Sequence, residues 1–231
     1  MLATLAFGVQ LYCDFGGYSN IALGCARILG FKFPMNFNNP YFAMNPQDFW
    51  HRWNISLSCW LRDYLYIPLG GNRKGAYRTY INLIITMVLC GLWHGATWNF
   101  LIWGGYHGTL LSLNRLIRLP SNRFSPMVGT LLTQYLVFLG WLIFKLSDSS
   151  NLTYCIHKFL IPEGFSYTEI VLGILMISIL LLVRGKIANN DWLSRLGSAK
   201  PLYWFIYLVL AINMIYWFSP VKVTKFIYSG F

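Results

Sequence analysis

The sequence predicts an all-α, multipass integral membrane bundle whose broken or re-entrant helices surround a cavity. Three observations predict it. Of 231 residues, 56% are hydrophobic and only 11% charged, whereas a soluble domain carries about a quarter charged residues. The apolar residues gather into runs, several interrupted by Gly, His or Asp near the middle, as in helices broken where they line a protein-enclosed space. The 18 Lys and Arg, against 7 Asp and Glu, crowd into the gaps between those runs.

Six apolar runs follow one another. Met1–Phe31 carries Asp14, Gly16 and Gly17, and Tyr80–Trp93 is parted from Thr97–Leu113 by His94 and Gly95. Val128–Leu146, Ile170–Val183 and Leu202–Phe218 complete the set. Several fall short of the roughly 20 residues that cross a bilayer as a helix. Met1–Tyr12 lacks a basic leader, so it does not read as a signal peptide. Its length gives about 18 Å of helix, and it reads as the tail of a helix that starts earlier. Residues 1–231 are therefore expected to form a single membrane region of a partial chain lacking its N-terminal membrane portion.

Charge sets an orientation. Arg73, Lys74 and Arg78 precede the second run, Arg115, Arg118 and Arg123 follow the third, and Arg184, Lys186, Arg195 and Lys200 precede the last. The loop Ser147–Thr168 is poor in cations. The positive-inside rule assigns the three basic loops to the cytoplasm. Cations spread in this way do not form a nucleic-acid face, so membrane lipids and not nucleic acid are the expected partner. Cys13, Cys25, Cys59, Cys90 and Cys155 are odd in number with no C-x-x-C pair, and read as free packing thiols.

Asn45-Pro46-Gln47-Asp48 has the form of a helix start, with Asn as N-cap and Pro in the first turn. Trp50, Trp53, Leu57, Trp60, Leu61, Tyr64 and Leu65 then recur at three- and four-residue steps, with His51, Asn54, Ser58 and Arg62 on another face. This predicts one amphipathic helix of about twenty residues, stopped by Pro68-Leu69-Gly70-Gly71. Two placements suit it: flat at the interface with its tryptophans among headgroups, or dipping inward with its polar face lining a reaction cavity. The uncharged Asn54 and Ser58 suit the second. Gly70-Gly71-Asn72-Arg73-Lys74-Gly75 is flexible and cationic. It can meet phosphates of a donor or of lipids, or merely anchor the loop, and it lacks P-loop spacing.

His94, in Gly91-Leu92-Trp93-His94-Gly95, falls deep in its run. An intramembrane titratable group is a functional candidate, the alternative being a packing histidine. His107, in Gly104-Gly105-Tyr106-His107-Gly108, reads as packing, and His157 as solvated. No metal-ligand cluster and no G-x-S-x-G elbow is visible in the sequence, so no metal site is expected.

The segments LYCDFGGYSNIALGCARILGFKFPMNFNNPY, FWHRWNISLSCWLRDYLYIPLGGNRKG and GLWHGATWNFLIWGGYHG, in that order over residues 11–108, resemble the membrane-bound O-acyltransferase family, in its alginate O-acetylase branch. The terminal KFIYSGF resembles the family's closing motif. The resemblance implies acyl transfer from a cytoplasmic thioester donor, acetyl-CoA or another acyl thioester, with no bound cofactor. The acceptor would be a hydroxyl of an extracytoplasmic polysaccharide such as alginate, reached through periplasmic acetylation partner proteins, and the setting a bacterial inner membrane. It makes His94 the catalytic histidine and Asn54, where relatives carry His or Asn, a second functional position. Ser58, Arg62, Arg73 and Lys74 are then the candidate substrate-binding residues. His51 stands where this branch usually has Arg. Peptidoglycan or teichoic acid modification, a transport component without chemistry, and an inactive truncated remnant remain the alternatives.

Overall fold

A computed structural model describes residues 2–117, 126–146, 151–161, 164 and 201–218. The expected run Ile170–Val183, the cations Arg118, Arg123, Arg184, Lys186, Arg195 and Lys200, and the KFIYSGF terminus lie outside them. The described residues form helices and turns, with no strand among them. They divide into two compact units, the first ending at Pro162 and the second covering residues 163–230. In the second, helix α8 (Pro201–Phe218) falls within a residue of its expected run.

In the first unit α1 is Leu2–Ile28, 27 residues without a break. Asp14, Gly16 and Gly17 therefore do not interrupt it, and Leu2–Tyr12 is one part of this longer helix. A glycine costs a helix about 1 kcal/mol relative to alanine, too little to break one that packs. Thr4, Phe7, Gly8, Leu11, Gly16 and Ser19 form the buried stripe at helical spacing. At Gly8 an added Cβ would lie 2.3 Å from Phe138 Cε1, and the Gly8 carbonyl accepts a hydrogen bond from the Tyr41 hydroxyl at 2.5 Å.

Next come α2 (Pro46–Arg52) and α3 (Ile55–Leu61), followed by a π-helical turn over Arg62–Tyr66. The N-cap expected at Asn45 is present: its side chain accepts from the Asp48 amide at 2.8 Å. Asp48 in turn accepts from the Met44 amide and pairs with Arg52 at 2.7 Å. The single amphipathic helix is not found. The chain turns at Asn54, whose φ of 43° and ψ of 58° are left-handed, and so restarts. Asn36 caps the new start, its carbonyl accepting from Ile55 N–H and its side-chain oxygen from Ser56 N–H. Two amide groups that a helix end leaves unpaired are satisfied by this distant residue.

Helices α4 (Gly75–His94) and α5 (Trp98–Ile117), 20 residues each, form a tight antiparallel pair. α4 starts five residues before the expected Tyr80 and rises about 30 Å. α6 (Pro126–Lys145) is the second helix that, with α4, is long and apolar enough to cross a membrane. The α4–α5 approach follows from glycines. A Cβ on Gly91 would meet Phe100 O at 2.1 Å, one on Gly104 would meet Met87 O at 2.3 Å, and one on Gly108 would meet Ile84 Cα at 2.7 Å. Small residues in this register let two backbones touch where no hydrophobic force joins them. Within Ser147–Thr168, read from sequence only as a loop, α7 (Leu152–Leu160) sets Phe159 against Tyr135 of α6 at 5.1 Å.

The core of this unit is aromatic. Trp53 packs on Phe49, Phe37, Tyr41 and Trp141, the last at 4.9 Å, and Trp141 continues to Phe144 and Trp103. Each such ring buries about 150–250 Å², so α2 and its tryptophans are held inside the fold. The aromatic face splits at Asn54: Trp50 and Trp53 are buried, whereas Trp60 and Tyr64 are exposed. The cysteines split likewise, Cys90 buried, Cys59 and Cys155 half-buried, Cys13 and Cys25 exposed, so only the first fits the packing-thiol expectation.

Candidate functional site

His94 closes α4. Gly91, one turn earlier, draws the helix against Phe100 of α5, and Gly95 follows where an added Cβ would meet the Phe100 ring at 2.6 Å. The glycines flanking this histidine thus admit a backbone and an aromatic ring. The imidazole is 5% exposed. It meets Trp103 edge-on at 5.4 Å and Phe144 at 5.3 Å between ring centres, with Phe100 at 6.2 Å. Nineteen residues beyond Gly75, it sits about 28 Å along the helix, close to a full hydrocarbon thickness.

Trp103 also contacts His107 at 4.9 Å and Trp50 at 5.9 Å. His107 is wholly buried, as the packing reading expects, with its ring 5.2 Å from Trp50. Room for it comes from α6, where a Cβ on Gly140 would lie 2.5 Å from His107 Nε2. That nitrogen, like the indole nitrogens of Trp50, Trp103 and Trp141, makes no hydrogen bond among the described residues. A buried polar atom left so costs about 1–3 kcal/mol, which makes this an unusual place for simple filler.

Asn54 is 7% exposed and sits beside Trp53 in the aromatic core. Its left-handed backbone, sparsely populated by residues other than glycine, turns the chain inward. The expected polar face is thereby divided: Asn54 is buried, Ser58 half-buried, and His51 and Arg62 exposed. Ring contacts run from Trp53 through Trp141 and Phe144 to His94.

Two clefts flank α3. One, of about 460 Å³, is almost entirely apolar and is lined by Leu57, Trp60, Tyr64, Leu89, Cys90 and Trp93 among others. The other, of about 400 Å³, brings together His51, Ser58, Arg62, Tyr66 and Arg115 over Trp50, Leu83, Thr86 and Met87. Ser58 and Arg62 thus share a cavity, while His94 and Asn54 line neither cleft. Ser58 donates from its hydroxyl to the Trp53 carbonyl at 3.2 Å. Arg62 pairs with Asp63 at 2.7 Å, and this hydrogen bond holds the Asp63 carboxyl below the usual carboxylate range.

Arg73 and Lys74 stand exposed on the glycine turn and line neither cleft. That turn, with φ of 111° at Gly70 and 53° at Gly71, is fastened by Asn82 of α4, whose amide donates to the Gly71 carbonyl at 2.9 Å. No group of three or more His, Cys, Asp or Glu is arranged as a metal site among the described residues. Sequence reasoning did not find Trp103, Asn36 or Asn82, and treated Arg115 as a loop anchor. An asparagine within an apolar run was the available signal for Asn82. Nothing local marks Asn36 as a cap twenty residues away.

Comparison with known proteins bears on these same segments. Residues 1–157 match the family model described as membrane-bound O-acyltransferase. A Pseudomonas putida protein described as "Probable alginate O-acetylase AlgI" is 52% identical over 146 residues, 62% of this chain and 30% of that protein. A peptidoglycan O-acetyltransferase of Helicobacter pylori is 43% identical over 148 residues, 62% of this chain and 28% of that protein. A teichoic acid D-alanyltransferase of Bacillus subtilis is 32% identical over 162 residues, 63% of this chain and 40% of that protein. The chain spans about 30% of the length of the alginate relatives it matches. With the buried histidine, the glycine-locked helix pair and the family match over most of its length, the chain belongs to the membrane-bound O-acyltransferase family.

Proposed function

We propose that this region carries acyl transfer in a multipass protein of the bacterial inner membrane. An acetyl group would pass from a cytoplasmic thioester, acetyl-CoA or another acyl thioester, to a hydroxyl of an extracytoplasmic polysaccharide such as alginate, with periplasmic partner proteins completing delivery. The observation that carries this reading is the His94 ring, enclosed by Trp103, Phe144 and Phe100 at the end of a helix long enough to cross a bilayer.

His94 acts as general base. It takes the acceptor hydroxyl's proton as that oxygen attacks the thioester carbonyl, and the C–S bond breaks as the C–O bond is kept. The departing thiolate then receives the proton from the imidazolium. Such a base contributes about 10²–10⁴-fold. Asn54, turned into the core, positions or polarises the carbonyl as a donor to the developing oxyanion. Ser58 and Arg62 contact the donor in the cleft of about 400 Å³, and Arg73 and Lys74 supply positive charge at its cytoplasmic approach. The relatives at 43% and 32% identity support a second acceptor class, peptidoglycan or teichoic acid, through the same histidine chemistry.

The test is mass spectrometry of O-acyl groups on surface glycan from cells carrying the intact gene, a deletion, or His94→Ala. O-acetyl groups on alginate that vanish in both the deletion and His94→Ala are the expected result. Acylation unchanged in His94→Ala overturns the assignment, and acyl groups found on peptidoglycan or teichoic acid instead identify the second acceptor class.

A further inference from the structure

His94 is the last residue of α4 and is followed by Gly95. Helix ends fray and their last carbonyl groups lack helical partners, so the orientation of this imidazole is set by its walls. Trp93 lies 4.8 Å from the ring but is exposed, Phe100 is tilted at 6.2 Å, and Phe144 is the last residue but one of α6. Trp103 differs from all three. It is wholly buried in the second turn of α5, and its ring meets the imidazole at 88° and 5.4 Å. Side chains lean toward the N-terminus of their own helix. α5 starts four residues after His94 and runs antiparallel to α4, so the Trp103 indole leans toward the His94 end and the His94 ring leans back to meet it. The backbone beneath is fixed where Gly104 admits the α4 backbone at Met87.

The indole is closed in on every neighbouring helix. Trp50 of α2 stands at 5.9 Å, Trp141 of α6 is stacked at 6.3 Å, Phe144 lies at 5.4 Å, and His107, one turn further along α5, lies at 4.9 Å. His107 is seated in turn against Gly140, where any side chain would run into Nε2. Neither His107 Nε2 nor Trp103 Nε1 makes a hydrogen bond among the described residues. Both nitrogens are therefore buried at a cost to stability that a hydrocarbon side chain would not incur, and stability given up around a reacting group is characteristic of functional sites. We propose that Trp103 is a positioning residue: it holds the His94 imidazole in the orientation that takes the hydroxyl proton, and His107, seated against Gly140, holds Trp103. This rests on the acyl-transfer reading for what His94 does. A reacting group displaced by about 1 Å loses about a hundredfold in rate, whereas a residue that only fills the core lowers the rate no further than it lowers the folded fraction.

The test uses the full-length protein in membranes from cells carrying the intact gene or Trp103→Phe, His107→Leu, both together, His94→Ala or Phe159→Leu. Phe159, buried against Tyr135, is the control for lost packing. Radiolabelled acetyl-CoA is supplied, alkali-labile acetyl esters are counted, and thermal melting is followed in detergent. Trp103→Phe lowers kcat about a hundredfold and leaves KM for acetyl-CoA within about twofold. His107→Leu lowers kcat about tenfold while the melting temperature holds or rises, because the unpaired nitrogen is gone. The double variant is no slower than Trp103→Phe, since both changes act through one contact. Diethyl pyrocarbonate, followed by mass spectrometry at the His94 peptide, reacts faster in Trp103→Phe than in the native protein.

Native kcat in Trp103→Phe, a loss that appears in KM instead, or an equal loss of rate in Phe159→Leu overturns the proposal. If Trp103→Phe does not fold, His107→Leu decides alone: a slower reaction at an undiminished melting temperature sustains the proposal, and a rate that follows melting overturns it. Transfer that vanishes in His94→Ala but is native in Trp103→Phe keeps the acyl-transfer reading and removes the positioning role. Transfer unchanged in His94→Ala removes the acyl-transfer reading, and faster modification of His94 in Trp103→Phe then sustains the holding contact by itself.

Discussion

Gly91 offers a quantitative test of how the site is held. An alanine there would place its Cβ 2.1 Å from the Phe100 carbonyl oxygen, 3.0 Å from its carbonyl carbon and 3.3 Å from Gly104 Cα. All three are backbone atoms of α5, so no side-chain rotation relieves them. Moving from 2.1 Å to ordinary contact near 3.4 Å opens the helix pair by about 1.3 Å at this level. Overpacking of this kind costs about 1–3 kcal/mol, and a displacement of about 1 Å at a reacting group can cost about 10²-fold in rate. His94 is three residues on, and its ring lies 6.2 Å from the ring of the same Phe100. Gly91→Ala should therefore lower the melting temperature in detergent, cut acyl transfer about a hundredfold, and expose the neighbouring Cys90, which is buried in the native fold, to thiol reagents. Gly105→Ala is the control: its Cβ would meet only Val88 Cγ2, at 3.9 Å, so stability and labelling should hold. Unchanged Cys90 labelling and melting in Gly91→Ala, or equal damage from Gly105→Ala, would refute the reasoning.

Other expectations concern the elements around the site. Asn54→Ala should cost about 1–2 kcal/mol, because alanine must adopt the left-handed backbone. Asn54→Gly should keep the fold yet still lose transfer rate, so thermal melts paired with rate measurements separate the two roles. Asn82→Ala removes the buried bond to the Gly71 carbonyl at about 1–3 kcal/mol, and amide exchange at Gly71 should accelerate. The Asp63 carboxyl, lowered by its hydrogen bond to Arg62, keeps that pair intact at neutral pH and loses it as pH falls through the lowered value. Carboxyl titration by NMR in Arg62→Gln should move upward, and a titration that does not move would contradict the pairing.

How far the sequence carried depends on the range of the interaction involved. The Asn45 cap, the stop at Gly70–Gly71, α6 and α8 were readable because a local rule sets each: one side chain on one amide, a glycine at positive φ, or an apolar run of bilayer length. Continuity of α1 was misjudged because Asp14, Gly16 and Gly17 look like breakers locally, while packing against Phe37 and α6 outweighs a cost of about 1 kcal/mol per glycine. The twenty-residue amphipathic helix was misjudged for the opposite reason. Its spacing is helical throughout, and the break at Asn54 is stabilised by Asn36, a residue far outside the window in which periodicity is read.

The sequence by itself determined that this is a membrane-family helical chain with one histidine at the deep end of an apolar run, because composition and run length are sums over neighbours. Only the tertiary structure decided that Gly91, Gly104 and Gly108 serve helix contact, that Asn36 caps the restart after Asn54, and that Arg62 and Arg115 line one cleft. Each of these is a distance between residues remote in the chain, set by which backbones can approach one another, and spacing along the sequence does not encode that approach.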